Sequence, residues 1–403
     1  MNKRVILSVF VARILLYTPF FTVAGCIPLL IEEWRISATK VSFIVSGFYF
    51  TYAFSLLGFS WLSDKLGAKR SVSVSAWATT VACTAFAVYA EGFVSTLILY
   101  GLIGLCQGGL YTPLIVLFRE NTPAQNLGAA IGWLVASTSI GYAASIGLTG
   151  LSVGLSGWRL AFVTTGLPPI IGALILLVAI KPVPNVIHCQ MSGSGLWQEL
   201  RKNSSAKQLL GGYIAHNWEL LGMWAWAPTL IAASFVLTGK TTAIATQLSA
   251  HFITLLHLFG AVAAYTMGRL SDRFGRRSIL IWVASIATGF SFSVGWFVEL
   301  TPYLIATLII VYSFFAIGDS PVLTTAIAER VDPAYVGATF AVRSLIGFIA
   351  GAISPVVVGL VIDALRAEQF GDTLVWGLAI STLGFGGLIA IFCAIRLPGS
   401  PQA

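Results

Sequence analysis

Charge is what this chain has least of. Only 9% of its 403 residues are Asp, Glu, Lys or Arg, where a soluble domain carries about a quarter. With 57% hydrophobic residues and a mean hydropathy of +0.89, a water-facing surface is excluded for most of its length. Acids are scarcer than bases, 15 against 23, giving a net charge of +8. The bases sit between apolar runs, so they report on membrane topology, and no nucleic-acid partner is expected. The five cysteines, Cys26, Cys83, Cys106, Cys189 and Cys393, are scattered without metal-ligand spacing; they read as small apolar fillers, and no metal site follows from them. No P-loop, HExxH or GxSxG stands in a matching context, so neither an enzyme nor a cofactor is expected. A cleavable signal is not expected either: the first apolar run is too long for one and contains Arg13.

What is present is long apolar runs. They fall at roughly 5–31, 41–62, 72–90, 93–118, 127–152, 160–180, 208–236, 243–267, 278–298, 302–327, 336–362 and 373–395. A helix needs about 20 apolar residues to cross a hydrocarbon core of about 30 Å, so the twelve runs predict twelve membrane-spanning helices. Strand barrels would show alternation in segments of about ten residues instead. With the N-terminus placed in the cytoplasm, 16 Lys and Arg lie inside and 5 outside, with Arg13 and Arg343 inside apolar runs; this asymmetry orients the chain with both termini cytoplasmic. The longest polar break, Lys181 to Gln208, separates six runs from six. It predicts a bundle over 1–180, a cytoplasmic linker over 181–207 and a second bundle over 208–403. Within it, GLWQELRK has the pattern of a short amphipathic surface helix.

The densest charge is GRLSDRFGRRS, Gly268 to Ser278, with four arginines. Its core LSDRFG at 270–275 repeats LSDKLG at 62–67, 208 residues earlier. A second echo pairs Pro123 and Gly128 with Pro333 and Gly337 at offsets of 210 and 209. Two landmarks at nearly one offset indicate a duplicated six-helix unit. Gly67 and Gly275 suit a tight turn between antiparallel helices. The bases there meet anionic lipid headgroups. Asp64 and Asp272 are acids able to bond unpaired helix N-termini.

LSDKLGAKR (62–70), GRLSDRFGRR (268–277) and GWRLAF (157–162), set in a six-plus-six pattern, resemble the major facilitator superfamily of secondary transporters. The first copy departs from the pattern with Ser60 for Gly and Ala68 for Arg. The resemblance implies two pseudo-symmetric six-helix bundles and a central cavity lined by helices 1, 4, 7 and 10. It also implies a cytoplasmic latch between the halves, which would involve Asp64, Gly67, Asp272, Arg273, Gly275 and Arg276. An Arg in helix 4 and a helix-5 Gly-Pro motif, frequent in the superfamily's drug exporters, are absent: Gly104 stands three residues before Gln107, and helix 5 has no proline.

Ionisable groups inside membrane helices are costly and mark function. Arg13, Glu219, Asp319 and Arg343 all fall between the inner surface and mid-membrane at about 1.5 Å per residue, which suggests pairs: Arg13 with Glu219, Asp319 with Arg343. Snorkelling of the two arginines to the headgroups is the competing reading. Gly212, His216, Glu219, Met223 and Trp226 share one face of the seventh run. A carboxyl there, beside aromatics, is suited to taking up and releasing a proton, and His216 to sharing it; a packed histidine and an aromatic belt are the plainer alternative. Tyr17, one turn from Arg13, and Gln107, Tyr111, Tyr312 and Phe315 are candidate cavity lining. His251 and His257 do not share a helix face. The functional expectation is a monomeric, proton-coupled carrier of a small polar, possibly anionic, solute, with protons and membrane lipids as its other partners. The alternative is a proton-antiport exporter of hydrophobic or cationic drugs.

Overall fold

The computed structural model describes residues 1–187, 196–332 and 335–398, and these are helical throughout, without a strand. In chain order the helices are α1 (Lys3–Leu16), α2 (Thr22–Trp34), α3 (Ala38–Leu66), α4 (Ala68–Tyr89), α5 (Phe93–Gln107), α6 (Thr112–Asn121), α7 (Ala124–Gly166), α8 (Pro168–Ile180), α9 (Leu196–Lys202), α10 (Ser204–Leu237), α11 (Thr242–Phe274), α12 (Arg276–Ser293), α13 (Pro302–Arg330), α14 (Val336–Ala367) and α15 (Asp372–Ile395). Pro333 and Cys189 lie outside the described residues.

Among the described residues, ten helical stretches are long and apolar enough to cross a membrane. Two local breaks reconcile ten with the twelve runs. The 56-residue stretch Gln125–Ile180 bends back at Ser156 and Gly157, where φ of Gly157 is +79°, so it makes two crossings. The first crossing is α1 plus α2, interrupted between Leu16 and Thr22. The protein is thus a multi-pass integral membrane protein of twelve crossings, six before residue 180 and six after 204. The piece read as an amphipathic surface helix does form a helix, α9.

Two long seams join the halves, α3 against α14 and α7 against α11, and α2 adds smaller contacts with α10 and α11. In crossing numbers the seams are 2 with 11 and 5 with 8. Exchanging the halves turns one pair into the other, which is the signature of a pseudo-two-fold relation. Small residues let the backbones approach. A Cβ added at Gly150 would sit 2.4 Å from the Ala250 methyl, and one at Gly359 would sit 2.8 Å from the Ala38 carbonyl.

The repeated turns are equally symmetric. Gly67 and Gly275 have φ of +86° and +84°, a region in which residues with a Cβ are strained. Lys69 Nζ donates to the carbonyls of Lys181 and Val183, at 2.6 and 2.7 Å, just past the sixth crossing. Arg277 Nη2 donates to the Ile395 carbonyl, at 2.8 Å, at the end of the twelfth. Each copy of the motif therefore caps the last helix of its own half, a favourable place for positive charge. In the first half, Asn185 adds a bond from its Nδ2 to the Leu66 carbonyl at 2.8 Å.

Candidate functional site

Between the halves lies a cavity of about 420 Å³. Its wall comes from α3 (Tyr52), the break between α5 and α6 (Tyr111), α7 (Tyr142), α10 (Tyr213, His216, Asn217, Trp224), α11 (His257), α13 (Thr324) and α14 (Arg343, Phe348). Crossings 4, 7 and 10 contribute, as the resemblance implies. Crossing 1 is not among the lining, and crossings 2, 5, 8 and 11 take part.

One end of the cavity is sealed by aromatic rings from both halves. The His257 ring stacks on Phe21 at 4.8 Å and meets Trp224 at 5.3 Å, and Tyr142 meets Trp224 at 5.8 Å. Beyond this seal, Asp363 of α14 accepts backbone N–H bonds from Ala38 and Thr39 at 2.9 and 2.8 Å, at the start of α3. The sealed end is the one opposite the repeated turns.

Arg13 is fully buried but faces into its own half. Its Nε donates to the Leu110 carbonyl at 2.9 Å, Nη1 to the Leu134 carbonyl and to Ser137 Oγ, and Nη2 to Tyr17 Oη at 3.4 Å. These bonds tie α1 to the break before α6 and to α7. Gln107 is buried beside it and donates to the Leu16 carbonyl at 2.8 Å, at the end of α1. Arg13, Tyr17 and Gln107 therefore brace the broken helices behind the wall.

Glu219 is buried as well, inside the second half. Its Oε1 accepts from Ser291 Oγ at 2.5 Å and Tyr312 Oη at 3.0 Å, and those two hydroxyls are 2.6 Å apart. Both hydroxyls can donate to an ionised carboxylate, and either can accept when the carboxyl carries a proton. Asp319 contacts His216: Oδ1 and Nδ1 are 2.6 Å apart. His216 also lines the cavity, so it links the wall to a carboxylate behind it. Glu219 and His216 are three residues apart on α10, so they share one side of that helix.

Arg343 does face the cavity. Its Nη1 donates to Thr324 Oγ1 at 2.9 Å, and its guanidinium carbon lies 4.1 Å from the centre of the Tyr213 ring, a cation–π stacking distance. Its Nε has no partner among the described residues. The pairs read from depth, Arg13 with Glu219 and Asp319 with Arg343, are not formed; each of these four groups has the other partners just named. Depth along a helix says nothing about rotation around it, and rotation separates them.

At the turns, Arg276 binds Asp272 Oδ1 at 2.5 Å and Glu329 Oε1 at 2.8 Å, all within the second half. Arg273 lies over the Phe274 ring at 5.2 Å. Asp64 occupies the same turn position in the first half, in the last turn of α3 before Gly67.

A family model described as Major Facilitator Superfamily matches residues 9–355. The chain belongs to that superfamily. A hexuronate transporter of Bacillus subtilis (strain 168) is 25% identical, over 98% of this chain and 96% of that protein. A probable sulfoacetate transporter, SauU, of Cupriavidus necator is 22% identical, over 91% of this chain and 87% of that protein. The uncharacterized MFS-type transporter YybF of B. subtilis is 25% identical, and the match covers 65% of this chain and 64% of that protein. A solved structure of a bacterial homolog to the human lysosomal transporter Spinster, inward-facing and unoccupied, superposes with a TM-score of 0.78 at 16% identity. That match covers 98% of this chain and 96% of that one, and carries the likeness of fold.

Sequence reasoning singled out Tyr111 but missed most of the aromatic wall. Tyr52, Tyr142 and Tyr213 carry no local motif, and only the packing of seven crossings brings their rings to one wall. Tyr213 had a usable signal, since it lies one turn from His216 and Asn217 on α10. Asp363 had another: it is an acid near the end of a run, on the face poor in charge.

Proposed function

We propose that the chain carries small organic anions across a bacterial inner membrane by proton-coupled alternating access. The observation that carries this is the cavity's charge. Arg343 is a full cation on its wall, and no carboxylate is among the lining residues. Glu219 and Asp319 lie behind the wall, where a cationic drug would not meet them. The names of two relatives, hexuronate and sulfoacetate transporters, denote organic anions and support the same reading.

Protons enter the scheme through His216, Asp319 and Glu219. A proton on Asp319 weakens its contact with His216 and changes the charge presented to the cavity. Glu219, held by two hydroxyls, offers a second proton site one turn away. An anion at Arg343 and a proton on this cluster would cross together, so that symport follows from charge balance.

In this reading residues 1–180 and 208–403 rock against each other about the α3–α14 and α7–α11 seams, with 181–207 as the tether. Both termini and the repeated turns are cytoplasmic, in keeping with the Lys and Arg distribution, and the conformation described is closed to the outside. Asp272 and Arg276 stay within their half here; their turn to latch comes when the cytoplasmic mouth closes. A single chain encloses the whole cavity, which supports a monomer, with anionic lipid headgroups around the basic turns.

The test is uptake of labelled organic acids into proteoliposomes, with and without an inward proton gradient. Gradient-driven accumulation of an acid, lost in Arg343→Gln, is the expected result. Transport of a lipophilic cation that survives Arg343→Gln would instead identify a drug exporter.

A further inference from the structure

His216 and Asp319 form a partition. His216 lines the central cavity and Asp319 does not; Asp319 lines a second, much smaller space and His216 does not. That space is a crevice inside the second half, bounded by α10 (Gln208, Gly212), α12 (Ala284), α13 (Asp319, Leu323) and α15 (Cys393). Its volume is about 10 Å³, close to the room that one water needs. It runs from Gln208, half-buried near the start of α10 and on the side of the repeated turns, to Asp319. Residues 208 and 216 stand about 12 Å apart along the helix.

The crevice owes its room to Gly212. A Cβ there would lie 3.5 Å from Leu323 Cδ2 and 3.8 Å from Cys393 Cβ, ordinary contact distances. At Gly222 on the same helix a Cβ would collide with Leu383. Gly222 is thus a close-packing glycine, whereas Gly212 leaves space.

The two spaces also differ in charge. The cavity wall carries Arg343 and no carboxylate among its described lining residues. The crevice carries Asp319 and no cation among its own, and Cys393 is the other titratable group there. In a low-dielectric enclosure a fixed cation repels a hydronium and a carboxylate attracts one. The anion and the proton therefore favour different ways out.

Resting on the proton-coupled reading above, we propose that the crevice is a proton exit separate from the substrate cavity. Protonated Asp319 gives its proton to a water beside Gly212. The carboxylate left behind stays paired with His216, and the hydronium formed passes Gln208 to the face of the repeated turns. The anion leaves through the cavity, on the other side of His216.

Silver ion, a thiol reagent of about water's size, tests the route. Asp319→Cys is made the only thiol of the full-length chain; Cys26, Cys83, Cys106 and Cys189 are changed to Ala, and Cys393 to Ser, which keeps the crevice its size. Silver nitrate is added to inverted vesicles, on the face of the repeated turns, and the thiols still free are counted with a maleimide after denaturation. The thiol at 319 reacts, and Gly212→Ala slows it at least about tenfold, because the added methyl takes the room of the one water leading there. Alanine also suits a helix better than glycine, so this variant folds. Ser320→Cys, on the cavity wall, is the reference and reacts equally with either residue at 212. An unchanged rate at 319, or equal slowing at 319 and 320, overturns the separate exit and leaves proton coupling standing. Should Asp319→Cys not fold, Cys393 kept as the only thiol takes its place in the same comparison. Uptake of organic acids that ignores an inward proton gradient removes the proton-coupled reading, and the exit with it.

Discussion

Asp363 holds Thr39: its Oδ2 accepts the Thr39 N–H at 2.8 Å, while Oδ1 accepts that of Ala38. Asp363 closes α14 of the second half, and Thr39 opens α3 of the first. The aspartate therefore serves as a capping group borrowed across the interface, answering two of the four unpaired N–H groups at the start of α3. Asp363→Ala is expected to weaken the closed arrangement by about 0.5–2 kcal/mol, the usual worth of such a cap. Spin labels on the sealed ends of α3 and α14 read the shift, as a larger population at long distance. An unchanged distance distribution would deny the cap any part in closure.

Arg13 is predicted to matter for stability more than for affinity. Arg13→Lys keeps the charge but cannot reach Leu110, Leu134, Ser137 and Tyr17 together. Leaving buried carbonyls unpaired costs about 1–3 kcal/mol. The melting temperature in detergent should fall, while KM for the transported acid changes little. A large rise in KM at constant melting temperature would place Arg13 at the substrate.

Glu219→Gln removes the exchangeable proton but keeps the shape and one acceptor for Ser291 and Tyr312. Accumulation against a gradient should disappear while counterflow exchange of substrate persists. Loss of both activities in a folded protein would speak against a proton role. Ser291→Ala is the milder companion and should move the pH profile of uptake without abolishing it.

Lys69 and Arg277 make a matched pair for measurement. Each caps the last crossing of its half, so Lys69→Ala and Arg277→Ala should each cost about 0.3–1 kcal/mol, as expected of a cation near helix C-terminal carbonyls. Lys69→Ala should in addition speed proteolytic cleavage of the tether beyond Pro184, because the Lys181 and Val183 carbonyls lose a donor. Equal cleavage in wild type and variant would mean that Lys69 does not pin the tether.

Much of this was readable before any coordinates. Twelve runs, the break after residue 180 and the 208-residue repeat follow from hydropathy and spacing, and the helices obey them because a chain in lipid must satisfy its backbone internally. Gly67 and Gly275 were legible for a similar reason: a turn with φ near +85° leaves little choice of residue. The site was only half legible. Arg13, Glu219, Asp319 and Arg343 stand out as charges in apolar runs, and all four are buried. Tyr17, His216 and Tyr312 stand out among their partners, but Ser291, Ser137 and Thr324 do not, because they are ordinary residues whose roles come from the rotation of neighbouring helices. The broken first crossing hides from a hydropathy window too, since α1 and α2 together read as one apolar run.

The α7–α11 and α3–α14 seams have a mechanical consequence. At Gly150 and Gly359 the facing helix lies too close to leave space for a methyl group. Surfaces mated so tightly, yet stitched by only a couple of polar links at the sealed end, separate cleanly and re-form without repacking large side chains. Such a joint resists bending but not parting, and one added carbon at Gly150 or Gly359 would jam it.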